Sequence, residues 1–317
     1  MVGEAGVGKS RLLLEFRNSL TNQDFNYLEG RCLHYGGSMA YLPFLDLLKT
    51  FFEIEDGHRE FLIKKNIQKK LTTLDSELLL DFRPAFQDLL SLKIEDESWL
   101  KLEPKIKRER TFEALKNLFI SLSAEKPLVL AVEDLHWVDK TSDEFLDYFI
   151  HSMAHHPILL ILLYRPEYTH QWGSKSYYSK IGLDQLTMES TAELVSAILE
   201  GGDVASKLKE LILNRSAGNP LFMEEFTHTL LENGSIERKN NQFVLSTKID
   251  DIRVPDTIQG IIAARMDRLE ENLKRTMQVA SVIGVILRFV SEHFMEAGGF
   301  QDLGSGEDYP SGNRYVN

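Results

Sequence analysis

Residues 3–10, Gly3-Glu4-Ala5-Gly6-Val7-Gly8-Lys9-Ser10, fit the G-x-x-x-x-G-K-[ST] pattern of a phosphate-binding loop. The chemistry offered is anion capture. Glycines let successive backbone N–H groups turn inward around a phosphate chain, the Lys9 ammonium reaches the outer phosphates, and the Ser10 hydroxyl can sit on Mg²⁺. Arg11-Leu12-Leu13-Leu14-Glu15-Phe16 continues as an amphipathic helix whose positive N-terminal end points at the same anion. A second segment, Leu128-Val129-Leu130-Ala131-Val132-Glu133-Asp134, is an apolar run ending in two acids. This describes a buried parallel strand delivering carboxylates to the C-terminal edge of an open α/β sheet, where such sheets bind ligands. One carboxylate can hold Mg²⁺ through water and the other can orient or deprotonate an attacking water. The residue types leave open which of Glu133 and Asp134 does which.

These groups need a scaffold of alternating elements. The pattern predicts a strand over 25–32, a helix over 41–52 with Leu42, Leu45 and Leu48 on one face, and a helix over 105–123. Strands follow over 127–133 and 158–164, with a helix over 142–155 between them. Strand, helix, strand order implies a parallel sheet with helices on both faces. Residues 58–104 are charged and leucine-rich and read as a helical insertion, with Lys64, Lys65, Lys69 and Lys70 as its solvated face. Past 171 come three short helices, over 190–201, 204–216 and 222–233. A hairpin over 236–246 turns at Lys239-Asn240-Asn241. Further helices are predicted from Val254-Pro255 to about 269 and over 272–284, and the glycine-rich 298–317 as a disordered tail.

Composition narrows the function classes. The chain of 317 residues is 43% hydrophobic and 26% charged, an ordinary globular balance. Its net charge of −12 argues against a surface built to neutralise nucleic-acid phosphates. Lone Cys32 allows no internal disulfide and points to a reducing compartment. No apolar run nears the ~20 residues of a membrane helix, so the expected location is the cytoplasm and no membrane partner is expected. His155-His156 lacks a third ligand nearby and makes no metal site.

Four further stretches carry a family resemblance. They are Glu133-Asp134-Leu135-His136-Trp137-Val138-Asp139, Arg165-Pro166-Glu167-Tyr168, Gly218-Asn219-Pro220-Leu221-Phe222 and Val254-Pro255-Asp256-Thr257-Ile258-Gln259-Gly260-Ile261-Ile262-Ala263-Ala264-Arg265. With the phosphate loop they resemble AAA-type STAND regulatory ATPases. The similarity is to the ATPase module beside class III adenylate or guanylate cyclase domains in bacterial signalling proteins, over about residues 3–284. The resemblance implies that Gly3, Glu4, Ala5, Gly6, Val7, Gly8, Lys9, Ser10 and Arg11 bind ATP, and that Ser10, Glu133 and Asp134 hold Mg²⁺. It makes Asp134, Glu133 and Arg165 the catalytic set, with Arg165 reading the terminal phosphate. Pro220 would pack on adenine, although it also fits a plain first-turn helix proline. His136 and Trp137 belong to the signature, and a loop anchored by a packed tryptophan accounts for them better than a catalytic histidine.

The expected fold is therefore an α/β P-loop NTPase with a parallel sheet flanked by helices, a helical lid, and the start of a winged helix. The domains would be a core over 1–185 with the insertion at about 58–104, a lid with hairpin over 186–250, a winged-helix start over 251–290, and the tail. The sequence departs from the resembling proteins at both ends. Only Met1-Val2 precedes the phosphate loop, and the missing strand is expected between the strands ending at Glu133 and Tyr164, leaving a fragment or a clipped reading frame of poor stability. The implied function is an ATP-binding, slowly hydrolysing switch in a larger signalling protein, with ATP/ADP and either self-association or an output domain as partners. The alternatives are a small-molecule kinase with a phosphate loop, against which the lid with its Gly218-Asn219-Pro220 argues, a non-binding scaffold remnant, and an origin-recognition-like DNA-associated ATPase. Residues 255–317 carry six Lys+Arg against nine Asp+Glu, which disfavours the last.

Overall fold

Strand β2 (Leu128–Glu133) is buried along its whole length, and its alternation sorts the molecule into layers. Leu128, Leu130 and Val132 face one side and Val129 and Ala131 the other, as the two-residue period of a strand requires. On the first side they join a large core with Phe44, Leu47, Leu115, Phe119, Phe145 and Phe149, which come from α2 (Leu42–Phe51), α7 (Pro104–Glu125) and α8 (Lys140–Ser152). On the second side they meet Leu13 and Phe16 of α1 (Lys9–Ser19). The computed structural model describes residues 1–248 apart from 21–22, 35–38, 56, 75–76, 202 and 240–241, together with scattered positions between 257 and 279.

The sheet is parallel, in the order β1 (Asn26–Arg31), β2, β3 (Ile158–Leu162). Register runs from Asn26↔Leu128 to Arg31↔Glu133 and from Leu128↔Ile158 to Val132↔Leu162. The α/β fold with helices on both faces is thus present. One expectation is corrected. A strand leading into the phosphate loop cannot lie between those ending at Glu133 and Tyr164, because β2 pairs directly with β3 and both its edges are filled. Val2 instead lies beyond β3, bridged in parallel to Tyr164 on one side and Gly182 on the other.

Local chemistry sets the element ends. Asp139 caps α8 by accepting from the Ser142 N–H at 2.9 Å, so this helix starts before the predicted residue 142. Pro104 opens α7 at a position that needs no N–H donor. The insertion is helical, as α3 (Glu60–Thr73), α4 (Glu77–Asp81), α5 (Arg83–Leu89) and α6 (Glu97–Leu100). Its Ile67, Leu71, Leu79 and Phe86 are fully buried in the same core as Phe119.

Three helices follow, α9 (Met188–Ile198), α10 (Ser206–Ser216) and α11 (Pro220–Glu232), around Val195, Leu208, Ile212, Met223 and Phe226. The predicted hairpin is β5 (Ile236–Lys239) against β6 (Gln242–Leu245). Val204 was expected in a helix. It belongs instead to β4 (Asp203–Val204), buried and paired with Phe243, which suits its β-branched side chain. The chain divides into a unit Met1–Leu269, which holds all these elements, and a unit Glu270–Asn317, in which 271–276 are helical. Most of the predicted helix from Val254, most of the winged-helix region and the glycine-rich tail lie outside the described residues, although the described positions 260, 263, 266 and 267 within that helix are helical.

Candidate functional site

The phosphate loop leaves Val2 at the C-terminal edge of the sheet and turns through Gly6 (φ 78°) and Gly8 (φ 98°). Both angles lie in the left-handed region that glycine alone adopts freely. Gly8 caps α1 without any side-chain hydrogen bond, and the first turn of α1 holds no acid, so the positive end of the helix is left for an outside anion. A Cβ built on Gly8 would meet nothing within 4 Å, so space lies in front of it. Buried Lys9 folds back to donate from Nζ to the Gly3 and Glu4 carbonyls, each at 2.8 Å. Burial, then the Arg165 cation, lowers its pKa from the usual lysine value, while Asp134 acts the other way.

Ser10 Oγ donates to Glu133 Oε2, joining loop and strand across the site. The other oxygen of Glu133 takes Arg31 Nη2 at 3.0 Å, with the carboxylate side chain only 4% exposed. Parallel register explains the pair, since Arg31 and Glu133 are partners at the ends of β1 and β2. Burial works against the Arg31 charge, but the hydrogen bond and the charge of Glu133 hold its pKa above the ordinary value. Arg31 was missed by sequence reasoning. Its signal, a cation closing a strand, became legible only once β1 and β2 were aligned.

Asp134 follows Glu133 in a left-handed conformation (φ 54°), which turns the chain off the strand into a one-turn 3₁₀ helix over Leu135–Trp137. Its charge acts on Lys9, Arg31 and His136. Glu133 contacts the Ser10 hydroxyl and Arg31, and the Asp134 charge is felt at Lys9 and His136 as well as at Arg31. The Arg165 guanidinium lies 5.3 Å from the centre of the Trp137 ring, a cation–π contact that gives the tryptophan its packing role. The chain after Arg165 is pinned to α8 by Tyr168 to Asp143 at 2.6 Å and by Trp172 Nε1 to Asp147 at 3.1 Å. Both ring nitrogens of His136 are buried without a hydrogen-bond partner among the described residues. Burial, then the Arg165 charge, lowers its pKa and favours the neutral ring.

The start of α11 closes over the loop. Asn219 Oδ1 caps the helix by accepting from Phe222 N at 3.2 Å, while its Nδ2 donates to the Ala5 carbonyl at 2.8 Å. Leu221 N donates to the Gly6 carbonyl at 3.2 Å. The approach is tight, for a Cβ on Gly6 would lie 2.7 Å from Asn219 Oδ1. Pro220, between these contacts, occupies the first turn of α11 and is half-buried. Arg11 is not brought to the cluster. Its side chain is 76% exposed and pairs with Glu15 at 2.8 Å on the outer face of α1.

The residues present fit a nucleoside triphosphate with Mg²⁺. An uncapped helix start, a buried ammonium held by two loop carbonyls, and a hydroxyl and carboxylate in contact across the loop supply anion and cation partners in one place. No helix among the described residues is long and apolar enough to cross a membrane.

Comparison with known proteins agrees with this geometry. Residues 1–161 match the family described as AAA ATPase domain, a stretch that contains the phosphate loop and both strand-end acids. An uncharacterized protein of Rhizobium meliloti (strain 1021) is 28% identical over 236 residues, which cover 73% of this chain and 22% of that protein. The chain thus spans about a fifth of the length of that relative. The matched family and the site built at the end of its parallel sheet coincide, and the chain belongs to the AAA ATPase domain family of nucleotide-binding proteins.

Proposed function

We propose that this module binds ATP with Mg²⁺, hydrolyses it slowly, and serves as a STAND-type regulatory switch in signal transduction. The observation that carries the reading is the direct hydrogen bonding of the α11 start to the phosphate loop at Ala5 and Gly6. A ligand gripped by that loop must act on α11, and α11 shares a core with α9 and α10. The helices over 188–232 would thus form the lid, shifting between arrangements as triphosphate gives way to diphosphate. The fractional match to the Rhizobium meliloti protein supports a module that works beside other domains, through self-association or an output domain. The sequence resemblance supports a cyclase-associated setting, and lone, buried Cys32 supports the cytoplasm.

In this reading the loop amides and Lys9 hold the phosphates, and Pro220 covers the base. Ser10 and Glu133 hold Mg²⁺, which when bound would neutralise phosphate charge. Asp134 orients the attacking water, and Arg165 contacts the terminal phosphate. The test is a Glu133→Gln/Asp134→Asn double variant assayed for ATP binding and for single-turnover hydrolysis. Hydrolysis should slow by at least about a hundredfold while affinity changes by less than about tenfold. Unchanged single-turnover hydrolysis would refute the roles given to the two acids.

A further inference from the structure

The insertion carries a feature that the nucleotide site does not use. A groove of about 650 Å³ lies along α3, bounded by α5 and residues 95–96. Phe61, Lys65 and Lys69 line it at successive four-residue steps of α3, so they form one stripe. Phe61 is 79% exposed, an unusual state for a phenylalanine. The lysines of this helix differ in their partners. Lys64 is paired with Glu60 at 2.8 Å and Lys70 with Glu53 at 2.5 Å. Among the described residues no ion pair within 4 Å involves Lys65 or Lys69. Arg83, on the opposite wall, donates to the neutral Gln68 amide oxygen at 2.9 Å and acts on the Asp96 carboxylate through its charge without a contact ion pair among the described residues. The two acids at the groove end are already engaged, Glu95 with Lys64 and Asp96 in capping α6 through Ser98 N and Trp99 N.

We propose that this groove docks an acidic, aromatic-bearing peptide segment of a partner protein. Charge complementarity selects the occupant. Lys65, Lys69 and Arg83, none of them in an ion pair within 4 Å among the described residues, flank an exposed aromatic ring on a chain whose net charge is −12, so the groove is a locally basic site on an acidic molecule. Phe61 offers the apolar contact that anchors such interfaces, and the volume suits one or two large side chains. None of the lining residues belongs to the phosphate loop, the β2 acids or Arg165, so this inference stands or falls apart from the ATPase reading.

Fluorescence anisotropy on the whole chain tests it, with a labelled twelve-residue peptide of Asp and Glu bearing two Phe residues. The comparison probes replace its acids by Asn and Gln, replace its Phe by Ala, or are a single-stranded thymidine dodecamer. The acidic aromatic peptide should bind at least about tenfold tighter than each comparison probe. Phe61→Ala and Lys65→Glu/Lys69→Glu should each weaken it at least about tenfold. Melting curves of these surface variants should match wild type. Failure of the wild-type chain to bind the peptide, or equal binding by the variants, overturns the proposal. Tightest binding of the oligonucleotide would make the groove a nucleic-acid site instead, and concentration-dependent dimerisation abolished by Phe61→Ala would make it a self-association surface.

Discussion

Ser10 and Glu133 lie 123 residues apart in the chain and share a hydrogen bond that links the phosphate loop directly to the carboxylate end of β2. The contact follows from two local facts. Gly8 ends the loop and starts α1, which presents Ser10 in its first turn, and β2 is held in register by β1 and β3 so that its last residue emerges at the same edge. The pair ties Glu133 to the loop hydroxyl, while the charge of the adjacent Asp134 acts on Lys9, Arg31 and His136.

Removing the Arg31 guanidinium leaves Glu133, with its side chain 4% exposed, without its cation. Burial of an unpaired carboxylate is unfavourable, although Arg31 itself is 45% exposed and its charge is partly screened. Arg31→Met should therefore lower stability by about 1–2 kcal/mol, read from urea denaturation. A midpoint equal to wild type would show that the pair is dispensable.

Asn219 makes two bonds that can be separated. Asn219→Asp keeps an oxygen to cap α11 at Phe222 N but has no N–H to give the Ala5 carbonyl. Loss of one such bond is about 1 kcal/mol, so a fluorescent ADP analogue should dissociate about fivefold faster with little change in melting temperature. Unaltered dissociation would uncouple α11 from the nucleotide.

The aromatic layer under the sheet is a stability determinant. Phe145 is fully buried, with ring centres of Phe44 at 4.6 Å, Phe112 at 5.3 Å and Phe149 at 5.8 Å. Phe145→Ala should cost about 3–5 kcal/mol, a large part of the about 5–15 kcal/mol of a typical domain. Calorimetric unfolding would record the loss, and a shift equivalent to less than about 1 kcal/mol would contradict this packing.

Burial first, and then the charges of Asp139 and Asp134, push the Cys32 thiol far above the ordinary value of about 8.5. The folded state holds this proton more tightly than the unfolded chain. The thiol's contribution to stability is thus full below about pH 8.5 and declines as pH rises past it. A disulfide reagent at pH 8 should react with the folded protein at least about a hundredfold more slowly than with the denatured chain. Comparable rates would mean that Cys32 is accessible.

Much of this arrangement was legible in the sequence, because it rests on short-range patterns. The phosphate loop, the apolar run ending at Glu133 and the helical insertion each carry their own periodicity or spacing. What escaped was set by pairing between distant segments. Arg31 gains its role from its register with Glu133, Asn219 from the approach of α11 to Ala5, and Val204 became a strand because Phe243 lies beside it. Strand order escaped for the same reason, since nothing local to Val2 says that it lies beyond β3. Arg11 faces solvent because the helix period carries it off the side that bears Lys9 and Ser10.

The proposed switch requires ATP to be captured through the buried Lys9 ammonium, and calorimetric titration of Mg-ATP into wild type and Lys9→Ala tests that directly. The P-loop lysine acts as a point charge on the outer phosphates. Its removal should weaken binding by at least about tenfold, roughly 1.4 kcal/mol. Equal affinity in the two proteins, or no heat of binding in either, would contradict it.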